Sequence, residues 1–115
     1  MIDSCRSRAD FAALRRGRRF GSELLWMSFA ADPELERPRV AFALNRSSGT
    51  AVERNRARRR LRAVLGEHAG RLTAGRYLVG TRGSVSQVTY RRAQTQLLEM
   101  LTSAGALQRP KDSTT

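Results

Sequence analysis

The segment from Arg54 to Arg62 constrains this chain most, because it carries six arginines in nine residues and yet has the spacing of a packed helix. Thr50 and Glu53 precede it as a capping box, in which the hydroxyl and the carboxylate bond free backbone N–H groups at a helix start. Apolar residues then recur along one stripe at Ala57, Leu61, Val64 and Leu65. The pattern predicts an amphipathic helix that docks on other elements and holds its arginines in a fixed geometry.

The charge of this segment has no local compensation, because none of its nine residues is acidic. Solvated helices usually relieve such repulsion with acidic residues four positions along. Over the whole chain the formal net charge is +12, and only Lys111 among the 22 basic residues is a lysine. Arginine forks hold phosphates in a bidentate way and stack on bases. The composition therefore favours nucleic acid over a lipid surface as the polyanionic partner.

The rest of the pattern predicts a small α+β domain. In chain order we expect a helix over 9–16, a β-hairpin with strands over 24–30 and 40–45, the basic helix, a strand over 77–81 and a helix over 86–104. This order, α-β-β(-β)-α-β-α, predicts three helices packed on a sheet of three or four strands. The central strand, helix and strand allow a parallel strand pair. We expect one domain over residues 1–107 and a disordered polar tail over 108–115.

The sequence offers no assembled catalytic or metal centre. Cys5 is the only cysteine and His68 the only histidine, so the chain cannot form an internal disulfide or a zinc site built on a thiolate cluster. Acidic residues cluster only in the turn around Pro33, where carboxylates are solvated. We expect His68 to pack or to cap a helix end. The expectations are no catalytic residue, no metal held by the protein, no membrane segment and a cytoplasmic location.

A second basic group and the aromatic residues leave alternatives open. Arg15, Arg16, Arg18 and Arg19 could bind RNA, or could complement the dipole at a helix end. Unpaired bases commonly stack on aromatic rings, and the candidates here are Phe11, Phe20, Trp26, Phe29 and Phe42. We expect most of these rings in the core, with one or two exposed.

Four stretches of the sequence carry the motifs of one bacterial family. They are Asp10-Phe11, Arg39–Leu44, the segment from Gly49 to Arg62 with its Gly-x-Ala-Val-x-Arg-Asn-Arg signature, and the segment from Arg76 to Tyr90. Through them the chain resembles the ribonuclease P protein component over nearly its whole length. The resemblance implies an α+β fold with a left-handed β-α-β crossover. It also implies a holoenzyme in which an RNA subunit holds catalytic Mg²⁺ and cleaves precursor tRNA to leave the mature 5′ end, while the protein supports metal binding and holds the 5′ leader.

The resemblance further assigns roles to residues of this chain. The catalytic RNA, or substrate phosphates near it, would be contacted by Arg46, Arg54, Asn55, Arg56, Arg58, Arg59, Arg60 and Arg62. The cleft for the leader would be lined by Phe11, Ala41, Phe42, Ala43 and Arg82. The implied partners are the ribonuclease P RNA and precursor tRNA, with no protein partner required. Magnesium would be held mainly by the RNA and not by the protein alone.

The chain departs from the family pattern at the first helix. Members usually have a second aromatic residue a few positions after the Phe11 position, where this chain has Ala13 and Leu14. Ala41 and Ala43 share one face of their strand, since side chains alternate, and they leave room there for a nucleotide backbone. Because the first helix lacks the second aromatic residue, we expect less aromatic stacking from this helix in the leader cleft.

Two other functions remain open from the sequence. One is a non-catalytic RNA-binding or ribosome-associated protein that uses the same basic helix. The other is a DNA-binding domain with this helix in a major groove. The DNA hypothesis is the weakest, because the helix offers mostly arginine and few side chains suited to reading adenine or thymine.

Overall fold

The computed structural model describes residues 2–108, which contain five strands and three α-helices. The elements are β1 (Asp3–Ser4), α1 (Arg8–Arg15), β2 (Arg18–Gly21), β3 (Leu25–Ala31), β4 (Arg39–Ala43), α2 (Ala51–Glu67), β5 (Gly75–Thr81) and α3 (Tyr90–Ser103). Short 3₁₀ turns lie at Arg46–Ser48, Ala69–Arg71 and Val85–Gln87. The predicted α+β class with three helices is confirmed. Met1 and residues 109–115 lie outside the described residues.

One mixed sheet holds all five strands in the order β1-β4-β5-β3-β2. β4 and β5 are parallel neighbours joined through α2, so the predicted parallel pair is confirmed. The predicted β-hairpin with strands over 24–30 and 40–45 is wrong, because β5 lies between β3 and β4 in the sheet. The strand that a turn joins to β3, and that pairs with it antiparallel, is β2. The sequence of β2, Arg-Arg-Phe-Gly, lacks the apolar alternation of a strand, and β1 has two residues. These two edge strands raise the count from three or four to five.

The hydrophobic core lies between one face of the sheet and the helices α2 and α3. Met27, Tyr77 and Val79 face the core with no measurable exposure, as do Leu61 and Leu97 from the helices. The Tyr77 ring stacks on Phe29 with 4.8 Å between centroids, and its hydroxyl donates to the Thr73 carbonyl at 2.6 Å. The buried side chains of α2 belong to the same core cluster as these sheet residues, which docks α2 on the sheet.

The last helix begins later than its sequence pattern indicates. Residues Val85–Gln87 form a 3₁₀ turn, and Thr89 caps α3 by accepting from the Arg92 N–H group at 3.2 Å. Tyr90, the first residue of α3, is 39% exposed. The start at 86 was wrong because a serine-capped turn and a threonine-capped helix follow each other within six residues.

Backbone pairing continues to the end of the described chain. The Thr73 N–H group donates to the Ala106 carbonyl at 2.7 Å, and the Gln108 N–H group donates to the Arg71 carbonyl at 2.6 Å. Gln108, which the sequence assigns to a disordered tail over 108–115, is hydrogen-bonded here, and residues 109–115 lie outside the described range. Among residues 2–108, no helix has the length and apolar character needed to cross a bilayer.

Candidate RNA interface

Helix α2 begins as its sequence predicts. The Thr50 hydroxyl accepts from the Glu53 N–H group at 3.1 Å, and the Glu53 carboxylate accepts from the Thr50 N–H group at 2.9 Å. The apolar stripe is fully packed, with exposures of 0–1% at Ala57, Leu61, Val64 and Leu65. The predicted capping box and the predicted apolar stripe are both confirmed. The arginines of α2 therefore project from a helix that is packed in place.

The arginines of α2 keep their charge uncompensated. In the part of the chain that the structure describes, the ion pairs are Arg37–Asp3, Arg39–Asp10, Arg76–Asp10 and Arg76–Asp32. None involves α2. Asn55, Arg56 and Arg59 are exposed, whereas Arg54, Arg58, Arg60 and Arg62 are half-buried. The helix therefore presents a row of cations that form no ion pair with an acidic residue between positions 2 and 108.

Neutral acceptors orient several of these guanidinium groups. Arg58 donates to the Asn55 side chain at 2.8 Å, Arg60 to the Val88 carbonyl at 3.0 Å, and Arg62 to the Ser4 hydroxyl at 3.1 Å. A neutral acceptor fixes the direction of a side chain without cancelling its charge. Arg56 and Arg59 are the two α2 arginines that are exposed and for which no such contact is seen. Arg46 is also exposed, in the 3₁₀ turn just before α2.

The opposite face of the sheet carries an open cleft beside α1. Strand register places Ala41, Leu78 and Ser28 in one row, and Ala43, Gly80 and Trp26 in the next. Side chains of residues in register point to the same face. Between this face and α1 lies a cleft of about 500 Å³, whose lining includes Phe11, Leu14, Trp26, Ser28 and Leu78.

Three of the five predicted cleft residues lie on this open face or at its edge as expected. Phe11 is 36% exposed and lines the cleft. Ala41 and Ala43 lie on the same sheet face in β4. Of the strands that line the cleft, β5 is one strand away and β3 is two strands away. Phe42 does not belong here, because alternation turns it to the other face. There it packs against the core, and the Arg62 guanidinium lies 5.7 Å from its ring centroid.

Arg82 follows the last residue of β5, and its side chain extends across the open face of the sheet to β2. Its backbone N–H group donates to the Leu24 carbonyl at 2.7 Å, which places it at the end of β5. Its guanidinium occupies the space into which a side chain at Gly21 would project. Gly21 is the cross-strand partner of Trp26, so the guanidinium of Arg82 lies beside the indole. The predicted place of Arg82 at the cleft is therefore consistent with this geometry.

Sequence reasoning missed several residues of the cleft, namely Arg15, Arg19, Trp26, Ser28 and Leu78. Trp26 is one of the five aromatic candidates for base stacking, and the sequence leaves open which of these rings are exposed. Its neighbours Leu25 and Met27 are 1% and 0% exposed and face the core, so alternation puts Trp26 on the other side. That signal was present in the sequence, but it requires knowing that only one face of β3 is covered by α2 and α3.

Asp10 attaches α1 to this face of the sheet. Its carboxylate accepts from Arg76 at 2.7 Å, from Arg39 at 3.0 Å, and from the backbone N–H groups of Arg6 and Ser7 at 2.9 and 3.2 Å. Burial by itself would raise the pKa of Asp10, but these hydrogen bonds outweigh it and hold the pKa well below its usual range. Asp10 also completes a capping box with Ser7 at the start of α1. Phe11 is therefore held in position at the cleft, because its neighbour Asp10 is bonded to the sheet.

The remaining titratable groups show no catalytic pairing among residues 2–108. His68 is at the C-cap position of α2, where its backbone N–H group donates to the Leu65 and Gly66 carbonyls, and its side-chain Nε2 is buried without a hydrogen-bond partner in the described residues. Burial, followed by the charge of Asp10, raises the pKa of the Cys5 thiol to about 11, so the reactive thiolate is disfavoured. Within residues 2–108 no three His, Cys, Asp or Glu side chains come together as a metal site.

Comparison with known proteins gives one consistent family. The family model described as Ribonuclease P matches residues 3–105. The ribonuclease P protein component of Brucella melitensis is 31% identical over 110 residues, which cover 87% of this chain and 78% of that protein. The component of Thermobifida fusca is 40% identical over 82 residues, covering 64% of this chain and 56% of that protein. The match to the Micrococcus luteus component covers 54% of that protein. The chain thus spans little more than half the length of these two relatives.

Solved structures show the same fold. The RNase P protein of Staphylococcus aureus superposes with a TM-score of 0.81 at 21% identity, covering 91% of this chain and 97% of that one. The RNase P protein of Thermotoga maritima gives a TM-score of 0.75 at 20% identity, covering 88% and 96%. The family model, matched along nearly all of the chain, agrees with the docked arginine helix and the open cleft. The chain belongs to the ribonuclease P protein family.

Proposed function

We propose that this chain is the protein subunit of ribonuclease P. In this role it binds the catalytic RNA through α2 and the 5′ leader of precursor tRNA through the open cleft. It thereby assists the magnesium-dependent endonucleolytic cleavage that generates the mature 5′ end, in the cytoplasm. The observation that carries the proposal is the uncompensated arginine row on a capped and docked helix, in a chain of this family.

The arginine row suits a folded RNA better than a flexible one. Each guanidinium that replaces counterions on a phosphate contributes to affinity in a strongly salt-dependent way. Because α2 is already packed, no conformational entropy is lost in ordering it on binding. Arg58 and Arg62 are held by Asn55 and Ser4, so their forks are oriented before contact. Arg56 and Arg59 supply exposed charge.

The open cleft suits a single strand. Beside it on the same sheet face, Ala41 and Ala43 have small side chains that allow a nucleotide chain to approach the sheet. Phe11 forms part of its wall, with an exposed ring edge that can contact a base. A single-stranded leader would therefore lie against the sheet between α1 and the end of β5.

The residues present do not form a metal site of their own. Asp10 is the only buried carboxylate in the described range, and it already accepts four hydrogen bonds from cationic and backbone donors. We therefore propose that Mg²⁺ would be held by the RNA subunit, where it would supply the water activation and charge stabilisation that metal ions give to phosphoryl transfer. The contribution of this chain is to neutralise phosphates, which lowers the magnesium concentration that the complex needs.

Reconstitution tests the proposal. The purified chain is added to a bacterial ribonuclease P RNA at low magnesium concentration, and cleavage of precursor tRNA is followed with time. We expect the native chain to stimulate cleavage, and the doubly substituted Arg56→Gln/Arg59→Gln chain to stimulate it much less at equal protein concentration. An Arg91→Gln chain, changed at an exposed arginine of α3, serves as the charge control.

The outcome separates the remaining hypotheses. RNA binding without any stimulation by the folded native chain would contradict the ribonuclease P role and leave a non-catalytic RNA-binding protein. Equal loss in the α3 control would mean that net charge, and not the α2 face, drives the effect.

A further inference from the structure

Trp26 lies flat in a position that two glycines make possible. On one side, the space above Gly80 that any side chain would occupy is filled by the indole ring. On the other side, Gly21 leaves the space that the Arg82 guanidinium fills. Gly80 and Gly21 are the two cross-strand partners of Trp26 on β5 and β2. The ring is thus lowered onto the sheet instead of standing up into the cleft.

Arg19 covers the ring of Trp26. Its guanidinium carbon lies 4.1 Å from the ring centroid, which is within the range of a cation–π contact. Arg19 and Trp26 come from neighbouring antiparallel strands and share the open face. The side chains therefore form a layered stack with Gly80 below, the indole in the middle and the guanidinium above.

The top of this stack is open and charged. Arg19 and Arg82 are both exposed, and neither belongs to any of the four ion pairs seen in the described range. The opposite end of the same face is different, because Arg39 and Arg76 are bound there by Asp10 and Asp32. Free positive charge on this sheet face is consequently concentrated around Trp26.

We propose that the outer plane of the Arg19 guanidinium, supported by Trp26, is a stacking platform for one unpaired base of single-stranded RNA, with Arg82 on the adjoining phosphate. The proposal rests on the proposed function and deepens it, since it assigns a base subsite to two residues absent from the expected cleft set.

The planar shape of the arginine guanidinium group allows it to act as a stacking platform. An arginine fork stacks on a base with its flat face while its edge remains free for hydrogen bonds. Contact with an aromatic ring beneath it restricts the fork before the base arrives, so less side-chain entropy is lost on binding. A lysine at the same place keeps the charge and loses the plane.

The test uses two charge-conserving variants on one strand. Arg19→Lys removes the platform. Arg18→Lys is the matched control, because Arg18 is the next residue along β2, faces the other side of the sheet and likewise lies over an aromatic ring, 5.0 Å from the centroid of Phe20. Melting curves confirm that each variant is folded. Trp26 is the only tryptophan, so its fluorescence reports on events at the stack.

The probe is a short single-stranded RNA that mimics a leader, with an abasic version at each position in turn. We expect the RNA to change Trp26 fluorescence, Arg19→Lys to weaken binding about tenfold, and Arg18→Lys to change it less than twofold. One abasic position should weaken binding to the native chain to a similar extent and have little further effect on Arg19→Lys.

Equal affinities for the two lysine variants, or native binding that no abasic position weakens, would overturn the platform. That result is separable from failure of the proposed function. If the native chain still stimulates ribonuclease P RNA, only the base subsite is wrong, whereas a platform confirmed without stimulation contradicts the ribonuclease P role alone.

Discussion

Asp10 and Arg76 join the first helix to the middle of the sheet, with 2.7 Å between the carboxylate Oδ1 and the guanidinium Nε. The same oxygen accepts from Arg39 on the adjacent strand at 3.0 Å. The side chain of Asp10 is 3% exposed, and that of Arg76 is 14% exposed. One buried carboxylate thus fixes the distance between α1 and the adjacent strands β4 and β5.

Replacing Asp10 should destabilise the fold markedly. We expect Asp10→Asn to lower the free energy of unfolding by about 2 to 3 kcal/mol, because it leaves two guanidinium groups without their shared anion. Urea denaturation checks this value. Asp32→Asn is the control and should cost less, since the Asp32 side chain is 29% exposed and Arg76 keeps Asp10. An equal cost for both would show that Asp10 is not the principal anchor.

The same ion pairs predict how stability depends on pH. The pKa of folded Asp10 lies well below the unfolded value of about 3.9. Its contribution is therefore complete above about pH 4, and it declines as the pH falls further toward the folded pKa. Thermal melts between about pH 2 and 6 should show a steeper loss of stability for the native chain than for Asp10→Asn. Parallel curves would contradict the assignment.

Gly80 should not tolerate a side chain. A Cβ atom there would overlap the indole of Trp26, so Gly80→Ala should displace the ring, change its fluorescence and cost about 1 to 3 kcal/mol of stability. Gly66, in the exposed face of α2, has nothing within 4 Å of an added Cβ. Gly66→Ala should therefore stabilise the chain by about 0.5 to 1 kcal/mol. The opposite order of stabilities would mean that Trp26 does not lie where the structure has it.

Phe11 should matter for the leader and little for the fold. Its ring is 36% exposed at the cleft wall, so Phe11→Ala should lower the preference for precursor over mature tRNA while the melting temperature changes modestly. Competition binding with the reconstituted holoenzyme measures this preference. Equal loss of affinity for both tRNAs would assign Phe11 a packing role.

The helices were predictable because their signals are local. The Thr50 and Glu53 cap and the stripe ending at Leu65 lie within one segment, and each is confirmed by hydrogen bonds and burial. Strand pairing was less predictable, because it depends on segments far apart. β5 inserts between β3 and β4 through pairs that are 37 to 56 residues apart in sequence, a choice that alternation within a strand does not reveal.

The candidate site shows the same division. The arginine face of α2 follows from helical periodicity alone, whereas the cleft depends on which sheet face remains uncovered. Phe42 is predicted in the cleft but lies on the core face, where alternation with Val40 and Leu44 already places it. The exposure of Trp26 is left open by the sequence, because the uncovered face of β3 is known only after α2 and α3 are docked.

The salt dependence of RNA binding tests the central claim most directly. The affinity of the native chain and of the Arg56→Gln/Arg59→Gln chain for ribonuclease P RNA is measured over a range of monovalent salt. If α2 presents its free arginines to phosphates, the double variant should bind more weakly, and the slope of log affinity against log salt should be smaller in magnitude by about 1 to 2. Arg91→Gln should leave the slope nearly unchanged. An identical slope for the native chain and the double variant would contradict the claim that this face of α2 contacts the RNA.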